Sequence, residues 1–325
     1  MLRLVKDEKT LARLARKFVG HFRHLSHERK TLTLGHRGMS YQTRVYWIES
    51  INLWVAPIWT GDYYRHVFGV IPSDERRHIG PTCEINFPRS GIDRKLGGGF
   101  AEDDRGRVFV VHRGLLGGKR GMSKGRFMRE YRGVWEEMDE GETVSPVAVV
   151  GDLGSYRFPR QVSQFVWKVA EIKEREDDLS PQQLMIPLNM EIGAKIRGGE
   201  TYGDLLRDIS LACDLDLVME DLGKELLSRG LKIKFRAPHA LYCLSDEGKK
   251  EIYLYVLSDT RYKSIMEGAF HLFFFSLRSR RPVRLLLVVP APFSDFLNSR
   301  LADFSIETTV YIWMKDKALF PNLRV

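Results

Sequence analysis

An α+β N-terminal half and an α/β C-terminal half are what this sequence predicts. Three observations carry that expectation. Near the N-terminus, apolar residues recur at i, i+3 and i+4. Between Tyr41 and Phe87, short runs of aromatic and β-branched residues are separated by Gly and Pro. From Leu215 onward a helix, three strands, a second helix and a fourth strand succeed one another. At 325 residues the chain has room for two domains. The pattern divides it into an antiparallel sheet with flanking helices over residues 1–145, a helical connector over 146–208, and a second domain over 209–325.

The first helix is expected from about Asp7 to Arg29. Leu11, Leu14, Ala15, Phe18, Val19, Phe22 and Leu25 form one apolar stripe, and Lys6, Lys9, Arg13, Arg16, Lys17 and His24 project away from it. Strands follow at Arg44–Asn52, Leu53–Trp59, Tyr63–Val70 and Thr82–Phe87, with turns at Gly61, Pro72, Gly80 and Pro81. Leu96–Asp103 leads through a turn at Asp104–Gly106 into a strand at Arg107–His112. A Gly-rich loop and a helix over about Ser123–Tyr131 come next, and the acidic run Glu136–Glu142 closes the first domain. Val147–Leu153 reads as a strand and Pro159–Arg175 as a helix. Residues 176–206, with Pro, Gly and charges, are the linker, with a short helix at Tyr202–Cys213. The last domain has a helix at Leu215–Arg229 and strands at Leu231–Arg236, Ala240–Leu244 and Glu251–Ser258. A helix at Tyr262–Leu277 and a strand at Arg284–Val289 follow, then a helix at Phe293–Phe304 and a strand at Thr308–Met314.

A hydrophobic content of 43% excludes a globally disordered chain. No apolar run reaches the roughly 18 residues that span a bilayer, so no membrane partner is expected. The N-terminus lacks the apolar core of a signal peptide, which makes the cytoplasm the expected compartment. Cys83, Cys213 and Cys243 are widely spaced with no Cys-x-x-Cys, against both a disulfide framework and a zinc ribbon. Net charge is +9, unevenly placed. Residues 1–132 hold 26 Lys/Arg and 13 Asp/Glu, whereas residues 133–325 hold 25 and 29. A basic excess confined to one part suggests a polyanionic partner, most often nucleic acid.

The segment from Val111 to Arg126 is the strongest local signal. A strand ends, a Gly-rich loop carries cations, and a helix begins. Glycines admit close approach of a ligand, and a helix start offers N–H groups, so phosphate is the natural guest. It is not a Walker A loop: Arg113 stands five residues before Gly118 where Gly is required, and Arg120 follows Lys119 in place of Ser or Thr. His112, Arg113, Gly117, Gly118, Lys119, Arg120, Lys124 and Arg126, with Arg13 and Lys17 of the first helix, are the expected nucleic-acid contacts. A solvated basic hairpin loop is the plainer alternative. Trp47, Trp54, Trp59, Tyr63, Tyr64 and Phe68 could stack on bases, but core packing is the better expectation, with Tyr63-Tyr64-Arg65-His66 the most exposed part. His21, His24 and His27 fan over the helix among cations, which disfavours a metal site.

The run Tyr255-Val256-Leu257-Ser258-Asp259-Thr260, followed by Gly268-Ala269-Phe270-His271-Leu272, sits inside the α-β-β-β-α-β order. In both respects this region, roughly a quarter of the chain, resembles the restriction-endonuclease-like PD-(D/E)XK superfamily. There a strand ending Glu-x-Lys-Thr-Asp leads into a helix with a Gly-Gln-Leu-like turn. The resemblance places Tyr255 at the metal-binding Glu and Leu257 at the catalytic Lys. The strand that would supply the family's Asp offers only Ala240–Leu244. Phosphodiester hydrolysis of this kind needs carboxylates around Mg²⁺ and a positioned Lys. The resemblance therefore implies a pseudo-nuclease without a cofactor. The N-terminal strand–loop–helix also looks like the Gly-rich His-Arg-Gly segment of uncharacterised bacterial proteins carrying such domains. That likeness implies a recognition or regulatory subunit in a restriction or anti-phage setting.

The expected function is binding of nucleic acid, DNA by preference, through the basic N-terminal domain. One alternative is an active Mg²⁺-dependent nuclease with a rearranged site, for which Glu225, Glu267 and Lys263 are the candidates. Another is a structural protein whose C-terminal half forms a homodimer or binds a partner protein. Phe270 to Phe275 would supply that interface, although core packing is the expectation for them.

Overall fold

Asp7 starts the first helix by accepting the Thr10 backbone N–H at 2.8 Å. In the computed structural model that helix, α1, spans Glu8–Leu25 and follows a short strand, β1, at Leu2–Leu4. The structure describes residues 1–36, 39–71, 80–116, 122–175, 208–236, 239–244, 251–277 and 283–324. The helix ends four residues before the expected Arg29. Ser26 takes an extended backbone, its hydroxyl donates to Glu28 O at 2.6 Å, and strand β2 (Glu28–His36) begins at once.

The chain divides into two compact units, Met1–Ile209 and Ser210–Val325. In the first unit β2 pairs along its length with β3 (Met39–Ile48). β4 (Leu53–Trp59), β5 (Tyr63–Val70) and β6 (Cys83–Glu84) complete a sheet of order β2-β3-β4-β5-β6, and β7 (Phe87–Pro88) also pairs with β5. The remaining strands are β8 (Gly98–Glu102), β9 (Val108–His112), β10 (Trp135–Asp139) and β11 (Val144–Asp152). With β1 they form a closed barrel of order β1-β10-β11-β9-β8. β1 closes it by pairing parallel with β10 and antiparallel with β8. Helix α2 (Lys124–Glu130) connects β9 to β10, and α3 (Phe158–Glu174) follows β11.

This differs from the single sheet expected within residues 1–145. A barrel and a separate sheet share one core, with α1 and α3 inside it. Phe18 is fully buried, and its ring meets Phe68 and Phe87 of the sheet, Phe100 of the barrel and Phe158 of α3, at centroid distances of 5.1 to 6.5 Å. A buried ring of this size contributes about 3 kcal/mol by area alone. The expected boundary at 145 falls inside β11, which pairs with both β10 and β9. Helix α3, read as connector, buries Phe158, Val162, Phe165, Val166, Val169 and Ile172 in the same core. The acidic run expected to close the domain is β10 and the turn after it. The expected linker and the first part of the short helix at Tyr202–Cys213 lie outside the described residues, and Ile209–Cys213 belongs to α4.

The second unit opens with α4 (Ile209–Ser228) and continues with β12 (Lys232–Arg236), β13 (Ala240–Leu244), β14 (Glu251–Val256) and α5 (Tyr262–Ser276). β15 (Val283–Val289), α6 (Asp295–Asp303), β16 (Ile306–Val310) and the hairpin β17 (Ile312–Met314) and β18 (Lys317–Leu319) complete it. The sheet order is β12-β13-β14-β15-β16. The first three strands are antiparallel, and β14, β15 and β16 run parallel, joined by α5 and α6. Strand alternation sends Leu241, Cys243, Ile252, Leu254 and Val256 to the α4 side. Ala240, Tyr255, Leu285, Leu287 and Val289 go to the α5 and α6 side. The strand expected at Thr308–Met314 is broken at Tyr311, whose hydroxyl donates to Leu257 O at 3.2 Å. No helix among the described residues is long and apolar enough to cross a membrane.

Candidate nucleic-acid interface

The His112-Arg113-Gly114 segment does not face a ligand. Burial of His112 is complete, and its Nδ1 accepts the Gly114 N–H at 3.0 Å. The proton therefore sits on Nε2, which donates to Glu84 O at 3.2 Å and ties the barrel to the sheet. Burial pushes the imidazole down to about 4, so the ring is neutral at pH 7. Arg113 is 6% exposed. Its Nε and Nη2 donate to Glu140 Oε1 at 2.9 and 2.8 Å, and Nη1 donates to Gly98 O at 3.2 Å. Gly114 has φ +81°, and a Cβ there would lie 2.6 Å from the Phe127 ring. Each residue of the motif thus has a packing role, and His112 and Arg113 are removed from the expected contacts.

Glu140, 2% exposed, is the hub of this network. Its Oε2 accepts Arg94 Nε at 2.9 Å, and its backbone oxygen accepts Lys6 Nζ at 2.8 Å. Burial raises the carboxyl, but hydrogen bonds and charge from Arg94 and Arg113 outweigh it and hold the pKa below the ordinary value. The cleft beside it, about 470 Å³, is lined by Lys6, Arg94 and Lys95 but also by Asp93, Glu140 and Glu142. Cations and carboxylates balance there, so it offers a polyanion no net field.

Other expected contacts divide. Gly117, Gly118, Lys119 and Arg120 lie outside the described residues. Arg126 is engaged by the fold: Nε donates to Glu130 Oε1 and Nη2 to Ile172 O, both at 2.9 Å, and its backbone N–H is capped by Ser123 Oγ. One N–H at the start of α2 is thus taken by its own cap, and Arg126 is not a free phosphate contact. Lys124 is exposed. Arg13 and Lys17 are exposed on α1, on a face with Lys9, Arg16, Arg23 and His24. At 100° per residue these six fall within about 120° of the helix circumference, with no acidic residue among them. Among the described residues, none of Lys9, Arg13, Arg16, Lys17 or Arg23 makes an ion pair, and sequence reasoning had not included Lys9, Arg16 or Arg23 in the contact set.

The three histidines of α1 and its end do not converge. His21 packs on Phe158 and its Nε2 donates to Leu153 O at 3.0 Å, whereas His24 and His27 are exposed. No metal-holding group of His, Cys, Asp or Glu occurs among the described residues. Trp47, Trp54, Tyr64 and Phe68 are core, as the sequence suggests, and Trp59 stands exposed against Tyr64. The segment expected to be exposed is mostly interior. Arg65 and His66 are buried, Arg65 in a two-pronged pair with Glu84, and His66 donates from Nδ1 to Ile85 O at 3.0 Å. Burial pushes His66 down to about 4.

In the second unit Tyr255 is 8% exposed and stacks between His239 and His271, at 5.7 and 5.0 Å. Burial, with the charge of Glu267, raises its phenol. Leu257 is in the core. Glu267 and Lys263 are exposed on α5, whereas Glu225 is on α4, across the sheet, and accepts from Arg229 at 2.8 Å. These three do not form one site. Of the apolar run Phe270–Phe275, expected as core, only Leu272 is buried. Phe270 and Phe273 are exposed beside Met266 and Leu277, and Phe273 touches the exposed Phe304.

No family model, no curated protein and no solved structure matches the chain.

Proposed function

We propose that this protein binds nucleic acid, DNA by preference, through the outer surface of its first unit. One observation carries the reading. Carboxylates neutralise the buried arginines, Arg65 and Arg113, whereas the cations along α1 face solvent without ion-pair partners among the described residues. Such a stripe gains by displacing counterions from a phosphate backbone. The test is fluorescence anisotropy of labelled duplex DNA at two salt concentrations with EDTA present. The expected result is binding that weakens steeply with salt. In the Arg13→Ala/Lys17→Ala variant the log–log salt slope should fall by about 2. Absence of binding at low salt overturns the reading.

The second unit is, in this reading, a PD-(D/E)XK-like domain without catalytic side chains. The α-β-β-β-α-β order and the parallel β14–β15 pair support it. A rearranged nuclease site is disfavoured because the sheet separates Glu225 from Glu267. The protein would then recognise DNA for a separate cleaving enzyme, in a restriction or anti-phage setting. Mg²⁺-dependent cleavage lost in Glu267→Gln would overturn this. The exposed apolar face of α5 supports a second reading, self-association through the second unit. Light scattering of Phe270→Ser/Phe273→Ser against wild type tests it, and equal masses would discard it.

A further inference from the structure

The hairpin of β2 and β3 has two unlike faces. Register pairs Arg29 with Tyr46, Thr31 with Arg44, and Thr33 with Gln42. These six share one face, because residues directly opposite in an antiparallel ladder point the same way. All but the half-buried Tyr46 are exposed. The other face carries Leu32, Leu34, Tyr41, Val45 and Trp47, which cluster with Trp54, Ala56 and Val67 of β4 and β5. The Tyr41 ring lies 5.8 Å from the Arg65 guanidinium of β5, so the hairpin curls its apolar face onto the sheet.

The only carboxylate on the hairpin, Glu28, belongs to that inner face and pairs with Lys30 at 3.3 Å. Lys30 in turn sits 4.1 Å over the Trp47 ring. The outer face therefore holds Arg29 and Arg44 with no carboxylate, and neither makes an ion pair among the described residues. Arg29 is held over Tyr46 at 5.2 Å, which orients it. β3 pairs with β4 only through Tyr46–Ile48, so the hairpin beyond Val45 is a two-stranded ribbon.

We infer that this ribbon enters the major groove of duplex DNA, with Gln42 and Arg44 towards base edges and Arg29 towards a phosphate. The inference rests on the nucleic-acid-binding reading above and names the element that would read the duplex. A B-form major groove, about 12 Å wide, accepts a two-stranded ribbon. Same-face residues on a strand recur every 6.8 Å or so, about two base-pair steps. Arg and Gln are the side chains that form paired hydrogen bonds with guanine and adenine, respectively, and Thr can meet either a base edge or the thymine methyl. A-form RNA closes its major groove to side chains, so duplex RNA is the discriminating competitor.

The experiment measures full-length protein against duplex DNA and duplex RNA of one sequence, for wild type, Arg29→Ala/Arg44→Ala and Gln42→Ala. Both arginines are exposed, so the melting temperature of the double variant should match wild type, and this is checked by circular dichroism. The expected result is a ten- to hundred-fold loss of DNA affinity in the double variant, with little change on RNA. Gln42→Ala should lose preference among DNA sequences more than affinity. Equal losses on DNA and RNA would overturn groove entry. Unchanged DNA affinity in the double variant, with wild type still binding in a salt-dependent way, would overturn the ribbon alone and leave α1 as the interface. Wild type that fails to bind DNA would remove the underlying reading and the ribbon with it.

Discussion

Two basic segments of the first unit carry the same kinds of side chain and meet opposite fates. At the end of β9, His112 and Arg113 turn inward, the imidazole kept neutral by burial and the guanidinium paired with the Glu140 carboxylate. Along α1, Arg13, Arg16 and Lys17 turn outward. The difference is the position of carboxylates. Glu140 is brought from 27 residues away by the β10–β11 hairpin, and among the described residues no carboxylate forms an ion pair with the α1 cations. Formal charge becomes a binding surface only where folding leaves it unpaired, because a buried arginine without a partner would cost several kcal/mol.

Acid should break this contrast most strongly. His66 and His112, with folded pKa values of about 4, stay neutral inside while the unfolded chain takes up protons below about 6.5. Between those values the unfolded state binds more protons, so stability rises with pH and is lost on acidification. Each ring should account for a loss on the order of 3 kcal/mol, complete near pH 4. Glu140 acts in the same direction at the lower end, since a depressed carboxyl stabilises above its unfolded value and ceases to as pH falls through the folded one. Urea unfolding between pH 7.5 and 4.5 checks this. A flat profile would mean that the two rings are not neutral and buried together.

Glu140→Ala comes next in size. It leaves Arg113 buried without its counter-charge and should cost about 3 to 5 kcal/mol, read from the shift of the urea midpoint. Salt dependence of DNA binding by the folded fraction should not change, because the outer stripe is untouched.

The smallest effects come from two glycines, one in each segment. Gly20 lies within the outer stripe of α1 with nothing within 4 Å of an added Cβ, so Gly20→Ala should stabilise by about 1 kcal/mol through helix propensity. Gly114→Ala should destabilise by about 1 to 3 kcal/mol, from a positive φ and a collision with Phe127. Thermal melts of the pair should therefore shift in opposite directions.

Local patterns were legible in the sequence. The apolar stripe of α1, the bounds of β4, β5 and β13, and the element order of the second unit as far as α6 all follow from short-range periodicity. What was hidden depends on distant partners. β1 has three residues, too few to show alternation, and its role exists only through β10 and β8. Arg113 looked like a ligand contact because its neighbours are glycines and cations, and no local feature indicates Glu140. A clue was present in α1, where the cations flanking Arg13 and Lys17 at helical spacing mark a wider outer face. The exposed Phe270 and Phe273 were hidden for a related reason: the apolar residues of α5 extend beyond the side that Ile265, Ala269 and Leu272 give to the sheet, so its sequence does not mark where burial ends.

The closure of the barrel also sets a timetable for the chain. Leu2 pairs with Met138, so β1 is made well over a hundred residues before one of its partners in the barrel. At ribosomal rates of about 5 to 20 residues per second, the apolar stripe of α1 waits on the order of ten seconds for β10, β11 and α3. Over that interval Phe18 and Phe22 have no Phe158 to meet. A nascent chain paused near residue 145 would thus lack the α3 side of this core, with Phe68, Phe87 and Phe100 already made but Phe158 and Phe165 still to come.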